Sequence, residues 1–301
     1  MKLDIQGGLY QPDPYVIKSD GKFFMYTTGR NGVQLYVSDD MYSFSYYGLV
    51  FNVEKQKEYW APSVIEINNL FYMYVSLMSD NEEDVHQQHI IVAKSASPYG
   101  PFEYLNDLIA PFSIDPHVVK SGNDLYIFYS INDYDASRAG TLIVVDKMIS
   151  PTKVKGNPNV VVRATLDEEI FMHDRFKKGQ HWHTLEGAFY FRNGDYHYLM
   201  YSGNCYQNEK YYIGYAYAHS KENDLTKLVF QKYPDNNTYY PLINKNEAEE
   251  GTGHNSLIEE DGHYYVFYHG RDIIDCGKSK YRTARLAEIA PNKEQLILIK
   301  R

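Results

Sequence analysis

Residues 186–202 read EGAFYFRNGDYHYLMYS: a carboxylate, an alternating aromatic run, a turn at Asn193-Gly194, and a second aromatic run. Two apolar stretches of strand composition joined by a short Gly-containing turn specify a β-hairpin, with Glu186 at the head of its first strand. The pattern recurs as DPYVIKSDGKFFMYTT from Asp13, APSVIEINNLFYMYVS from Ala61, DPHVVKSGNDLYIFYS from Asp115 and HNSLIEEDGHYYVFYH from His254. Four of these leading residues stand thirteen positions before the matching aromatic of the second strand: Tyr26, Tyr74, Phe128 and Phe267. Glu186 stands fourteen before Met200, and the extra residue is assigned to the turn.

Successive leaders are 48, 54, 71 and 68 residues apart, the length of one four-stranded sheet with variable loops. Five such units around an axis predict an all-β, five-bladed β-propeller occupying residues 1–301 as a single domain. Equivalent positions on innermost strands then converge, so Asp13, Ala61, Asp115, Glu186 and His254 are expected to face one pocket. The 31 tyrosines suit this reading, because a flat ring covers pleated surface while its hydroxyl keeps a polar partner.

A net charge of -9 without any Lys/Arg cluster disfavours nucleic acid and anionic membranes as partners. No apolar run approaches the ~18 residues of a membrane-crossing helix. The opening MKLDIQGGLYQPDP lacks a signal-peptide core, so the expectation is a cytoplasmic protein with Cys205 and Cys276 as free thiols. Self-association into a homo-oligomer is left open. The longest irregular stretch, 151–185, ends in His181-Trp182-His183. Two histidines at that spacing lack a nearby third ligand for zinc, so His183 reads as a sugar contact or a packing residue.

Three carboxylates in one pocket repel one another and raise at least one pKa, which suits acid–base chemistry. Inverting cleavage of a glycosidic bond needs a protonated carboxyl beside the leaving oxygen and an ionised one holding water, roughly 6.5–9.5 Å apart. Acids on different blades provide such a gap.

Asp13-Pro14, Trp60-Ala61-Pro62-Ser63, Ile114-Asp115-Pro116, Glu186-Gly187 and Gly253-His254-Asn255-Ser256 together resemble, in order, the blade-start motifs of glycoside hydrolase family 43. The resemblance spans essentially the whole chain. It implies Asp13 as general base, Glu186 as general acid, and Asp115 as the carboxylate that orients the acid and adjusts its pKa. It also implies His254 near a calcium or sodium ion or an ordered water, Arg282 rather than Arg285 on the sugar, and an oligosaccharide substrate without an organic cofactor. Trp60 and Ala61 join the expected substrate contacts as neighbours of a leader. Glu186-Gly187 is followed by Ala188 where that family often has proline, and the β-sandwich of many xylosidase-type members is missing. The expected activity is release of terminal α-L-arabinofuranosyl residues, with β-D-xylosidase as alternative and a non-catalytic carbohydrate-binding propeller as the remote one. A retaining fructan-cleaving propeller is disfavoured because Asp13 follows Pro12 instead of Asn.

Overall fold

The computed structural model describes residues 1–8, 10–273 and 281–301; Cys276 lies outside these. Among the described residues helix is confined to single 3₁₀ turns of three residues, and everything else regular is strand. Among the described residues no helix is long and apolar enough to cross a membrane.

Five antiparallel hairpins stand where the repeats predict them. They are Tyr15–Ser19 with Lys22–Thr27, Gln56–Ile67 with Leu70–Ser79, Ile114–Ser121 with Asp124–Asp133, Trp182–Asn193 with Tyr196–Gly203, and Glu249–Glu260 with His263–Asp272. Every one turns on two residues. Asp20-Gly21, Asn68-Asn69 and Asp261-Gly262 have positive φ at both positions, while Gly122 and Gly194 have it at the first. Those are the I′ and II′ geometries whose twist matches the flanking strands. In the fourth hairpin Asn193 pairs with Tyr196, so its turn is Gly194-Asp195, one residue later than the sequence suggests.

A third strand follows each hairpin: Val33–Ser38, His89–Ser95, Gly140–Ser150, Tyr212–His219 and Thr283–Asn292. The expectation of one separate four-stranded sheet per unit needs correcting. The third and fourth units share a ten-stranded sheet, because Trp182–Asn193 begins ahead of Glu186 and pairs in parallel with Gly140 and Thr141. A Cβ at Gly140 would lie 2.0 Å from the His183 carbonyl oxygen, so the contact requires glycine there. The segment Asp4–Gln6 adds a parallel strand to Ser43–Phe51.

Burial of apolar faces occurs between consecutive units. Tyr26, Val64 and Met73 join units one and two; Tyr74, Val118 and Ile127 join two and three; Phe128, Leu185 and Leu199 join three and four; Met200, Ile213 and Val266 join four and five. A fifth cluster, with Met25, Phe44, Phe267 and Leu286, joins the last unit to the first. Burying one such side chain is worth about 1.5–3 kcal/mol. Two of the buried tyrosines pair their hydroxyls with backbone carbonyls, Tyr26 donating to Pro98 O at 2.6 Å and Tyr74 to Pro151 O at 2.8 Å. First and last units are also hydrogen-bonded: Val16 N donates to Ser256 Oγ (3.0 Å), which donates to Pro14 O (2.9 Å).

Candidate active site

The residue two positions past each leader pairs with the residue thirteen past it: Tyr15 with Tyr26, Ser63 with Tyr74, His117 with Phe128, Ser256 with Phe267. In the fourth unit the corresponding pair is Phe189 with Met200, so the equivalent leader is Gly187. The turn does not absorb the odd spacing of Glu186; the acid stands one residue ahead of the repeat position. Backbone geometry agrees, since Asp13, Ala61, Asp115 and His254 have φ of 55, 46, 58 and 45°, and Gly187 has 65°. A left-handed residue costs about 1–2 kcal/mol when it is not glycine, and here it turns the start of each first strand toward the common centre. Glu186, preceding the kink, reaches the same space.

Hydrogen bonds from the preceding unit hold several of these strained residues. Ala61 N donates to Thr28 Oγ1 (2.7 Å), Gly187 N to Asp115 Oδ2 (3.0 Å), His254 N to Ser202 Oγ (2.7 Å), and Asp13 N to His269 Nδ1 (3.1 Å).

The result is a cavity of about 160 Å³ lined by Asp13, Asp115, Glu186, His254, Arg282 and Trp60, with Tyr206 and Tyr211 among its other walls. Asp13 accepts from Thr28 Oγ1 through Oδ2 (2.6 Å) and from Arg282 through Oδ1 (3.1 Å). Burial alone would raise its pKa, but the Arg282 guanidinium, with His254 and His269, holds it well below the usual carboxylate range. Glu186 goes the other way: burial raises it to about 7 against the opposing Tyr211 hydroxyl, which donates to Oε1 at 2.8 Å, and the Asp13 charge adds to the rise. Asp115 is raised well above 3.8 by burial, then by the charges of Glu186 and Asp13, with the Gly187 N–H opposing. Asp115 and Glu186 therefore titrate as a pair that still carries a proton near neutrality. His254 Nδ1 sits 3.6 Å from Asp13 Oδ1 and 3.8 Å from Asp115 Oδ2, and burial lowers its pKa.

Of the residues singled out from sequence, Asp13, Asp115, Glu186, His254, Trp60 and Arg282 meet at this cavity, and Ala61 supports its rim through Thr28. Arg282 also lies 4.4 Å from the centroid of the Tyr206 ring. Arg285 is elsewhere, buried against Glu249 and Asp272 at 2.8 Å each. His183 is not at the cavity: its Nδ1 faces Ala139 O (3.1 Å) and its Nε2 faces Arg138 (3.1 Å). Pairing with the Gly140 strand carries it away from Glu186, so it is a packing residue here. Calcium takes about six to eight oxygen ligands. Among the described residues no group of three or more His, Cys, Asp or Glu side chains is arranged to hold a metal, so the residues around His254 do not fit a protein-built cation cage. Thr28, Tyr206, Tyr211 and His269 are site residues that sequence reading missed.

Solved structures share this architecture. A thermostable family-43 glycoside hydrolase superposes with a TM-score of 0.80 at 26% identity, covering 99% of this chain and 95% of that one. An α-L-arabinofuranosidase from Lactobacillus brevis gives 0.77 at 17% identity, covering 96% and 93%. A xylan β-1,4-xylosidase from Bacillus halodurans C-125 gives 0.74 at 17% identity, covering 98% of this chain but 56% of that one. No protein of curated function matches the sequence. The sequence profile of glycosyl hydrolases family 43 matches residues 8–294, nearly the whole length of a chain whose carboxylates meet in one cavity, and the chain therefore belongs to that family.

Proposed function

We propose that this chain is an inverting, exo-acting glycosidase that releases terminal α-L-arabinofuranosyl residues from arabino-oligosaccharides, built as a single five-bladed β-propeller. The observation that carries the mechanism is the opposite tuning of Asp13 and Glu186, one held ionised and the other raised to about 7. Carboxyl groups pushed apart in this way take the base and acid roles. Glu186 gives its proton to the glycosidic oxygen as the bond from that oxygen to the anomeric carbon breaks. Asp13 takes a proton from water as the water oxygen attacks the opposite face. The freed sugar carries an inverted anomeric hydroxyl, Asp13 ends protonated, Glu186 ends ionised, and exchange with solvent restores both. Asp115 holds the Gly187 N–H and thereby the backbone that aims Glu186. No step runs through an ion.

Exo action is supported by size, since a cavity of about 160 Å³ is well below the roughly 300–1,000 Å³ of a pocket for larger ligands. One sugar ring fits that description. The propeller reading rests on the five inter-unit cores, the last of which joins unit five to unit one. Hydrolysis of aryl α-L-arabinofuranoside and aryl β-D-xylopyranoside, with Asp13→Ala as blank, tests the function. Arabinoside cleavage that disappears in the variant supports it, with the inverted anomer forming first by NMR. Preference for the xyloside would make the chain a β-D-xylosidase, and first formation of the retained anomer would overturn the mechanism.

A further inference from the structure

We propose that His269 is a positioning residue for the catalytic base: it holds Asp13 from behind through the backbone N–H, without touching the sugar. This rests on the reading of Asp13 as base. The residue fifteen positions past each leader, counting Gly187 in the fourth unit, stands in or just past the turn-distal part of the second strand: Thr28, Ser76, Ser130, Ser202 and, in the last unit, His269. Three of them bind the N–H of the next unit's leader, Thr28 for Ala61, Ser202 for His254 and His269 for Asp13. A hydroxyl suffices for that task. The imidazole in the last unit does something more.

His269 Nδ1 is 3.1 Å from Asp13 N and 3.2 Å from Asp13 Oδ1, so it touches the base at both backbone and carboxylate. Its side chain has no solvent exposure, and it is absent from the cavity walls. One face of the ring stacks on Tyr211, centroids 5.7 Å apart and planes 17° from parallel, and the Tyr211 hydroxyl in turn holds Glu186. The ring is thus wedged between the supports of base and acid. Its other nitrogen, Nε2, is buried without a hydrogen-bond partner, which costs about 1–3 kcal/mol. A serine at this position would avoid that penalty, so folding alone does not account for the histidine. A single Nδ1 cannot donate and accept together. With the proton on Nε2, its lone pair receives the Asp13 N–H, and it also faces Oδ1 when that oxygen has gained the proton from water. Thr28 occupies Oδ2. Thr28 and Arg282 therefore hold the two oxygens, while His269, at the same repeat position as Thr28, holds the N–H of the same residue.

The test uses His269→Phe, which keeps a ring against Tyr211 but removes Nδ1, and His269→Asn, whose amide reaches the Nδ1 position. Both are assayed with wild type and Asp13→Ala on the aryl glycoside that wild type cleaves, across pH 3.5 to 9. For His269→Phe, kcat is expected to fall about 10- to 100-fold with KM unchanged, as loss of orientation predicts. No new acid limb is expected, because the Nδ1 lone pair does not stabilise the ionised carboxylate. His269→Asn should recover most of kcat, its amide oxygen accepting the Asp13 N–H in place of Nδ1. Wild-type kcat in a folded His269→Phe, or a rise in KM alone, overturns the proposal. If the Phe variant does not fold, Asn is compared with Gln, whose amide reaches the Nε2 position instead; equal activities overturn it. Full activity of Asp13→Ala would overturn the base assignment itself and this proposal with it, an outcome distinguishable from a failure of His269 alone.

Discussion

Replacing Glu186 by glutamine should make the protein more stable at pH 8 and leave it nearly unchanged at pH 4. A carboxyl moved from 4.5 to about 7 holds its proton more tightly folded than unfolded. Between those values the folded state binds more protons than the unfolded chain, so stability falls as pH rises from 4.5 to about 7 and stays reduced above. The displacement corresponds to at most about 3 kcal/mol. Glu186 opens onto the cavity, where water screens part of this, so the observed value should be smaller. Glutamine has the same shape, still accepts the Tyr211 hydrogen bond through its Oε1, and cannot ionise. It also relieves Asp115 of one neighbouring charge.

Thermal unfolding of the two proteins at pH 4, 6 and 8 reads this directly. At a few degrees of Tm per kcal/mol for a chain of this size, the variant should gain several degrees at pH 8. The buried histidines titrate identically in both proteins and cancel in the difference. Equal differences at all three pH values would refute the reasoning, since Glu186 would then carry no raised pKa and its assignment as the acid would lose its physical basis. The same variant should lose most turnover on substrates with poor leaving groups.

Wild-type kcat/KM should decline as pH rises through about 7, where Glu186 gives up its proton, and a pH series on one aryl glycoside checks it. No matching acid limb from Asp13 is expected, but thermal stability should fall as pH drops below about 6.5, because buried His117 and His269 are lowered to about 4 and about 3 and must gain protons. Gly187→Ala should destabilise by about 1–2 kcal/mol and reduce kcat, since the new Cβ would sit 3.1 Å from His254 Nδ1; denaturant unfolding and kinetics measure both. Arg285→Met removes one of the two arginines paired with Glu249, Arg301 remaining, and should cost about 1–3 kcal/mol while leaving KM unchanged, which separates it from Arg282.

Strand periodicity and turn chemistry are local, and so the five hairpins and the convergence of Asp13, Asp115 and Glu186 could be read from the chain. The offset of Glu186 was visible as well, in its fourteen-residue spacing, but it was assigned to the turn when a glycine able to take positive φ stood next to the acid. His183 shows the opposite failure. Three residues ahead of Glu186 on an extended strand, it faces the opposite side of the sheet, and its pairing with the Gly140 strand is invisible in sequence. Tyr211 is one of 31 tyrosines and carries no signal of its own. Thr28 and His269 did carry one, because Thr28, Ser76, Ser130 and His269 all stand fifteen positions past four of the five leaders read from the sequence.

The hydrogen bond from Asp13 N to His269, together with the Arg282 ion pair to Asp13 Oδ1, ties the chemistry to the order of synthesis. Asp13 is synthesised before the groups that hold and charge-balance it, which are encoded more than 250 positions later. A nascent or truncated chain would present Asp13 with neither, as an ordinary carboxylate on an unanchored strand. In linear repeat proteins each repeat touches only its neighbours along the chain; in this molecule residues of the fifth hairpin unit hold Asp13 at the head of the first, so an assay that needs Asp13 held this way reads contact between those two units.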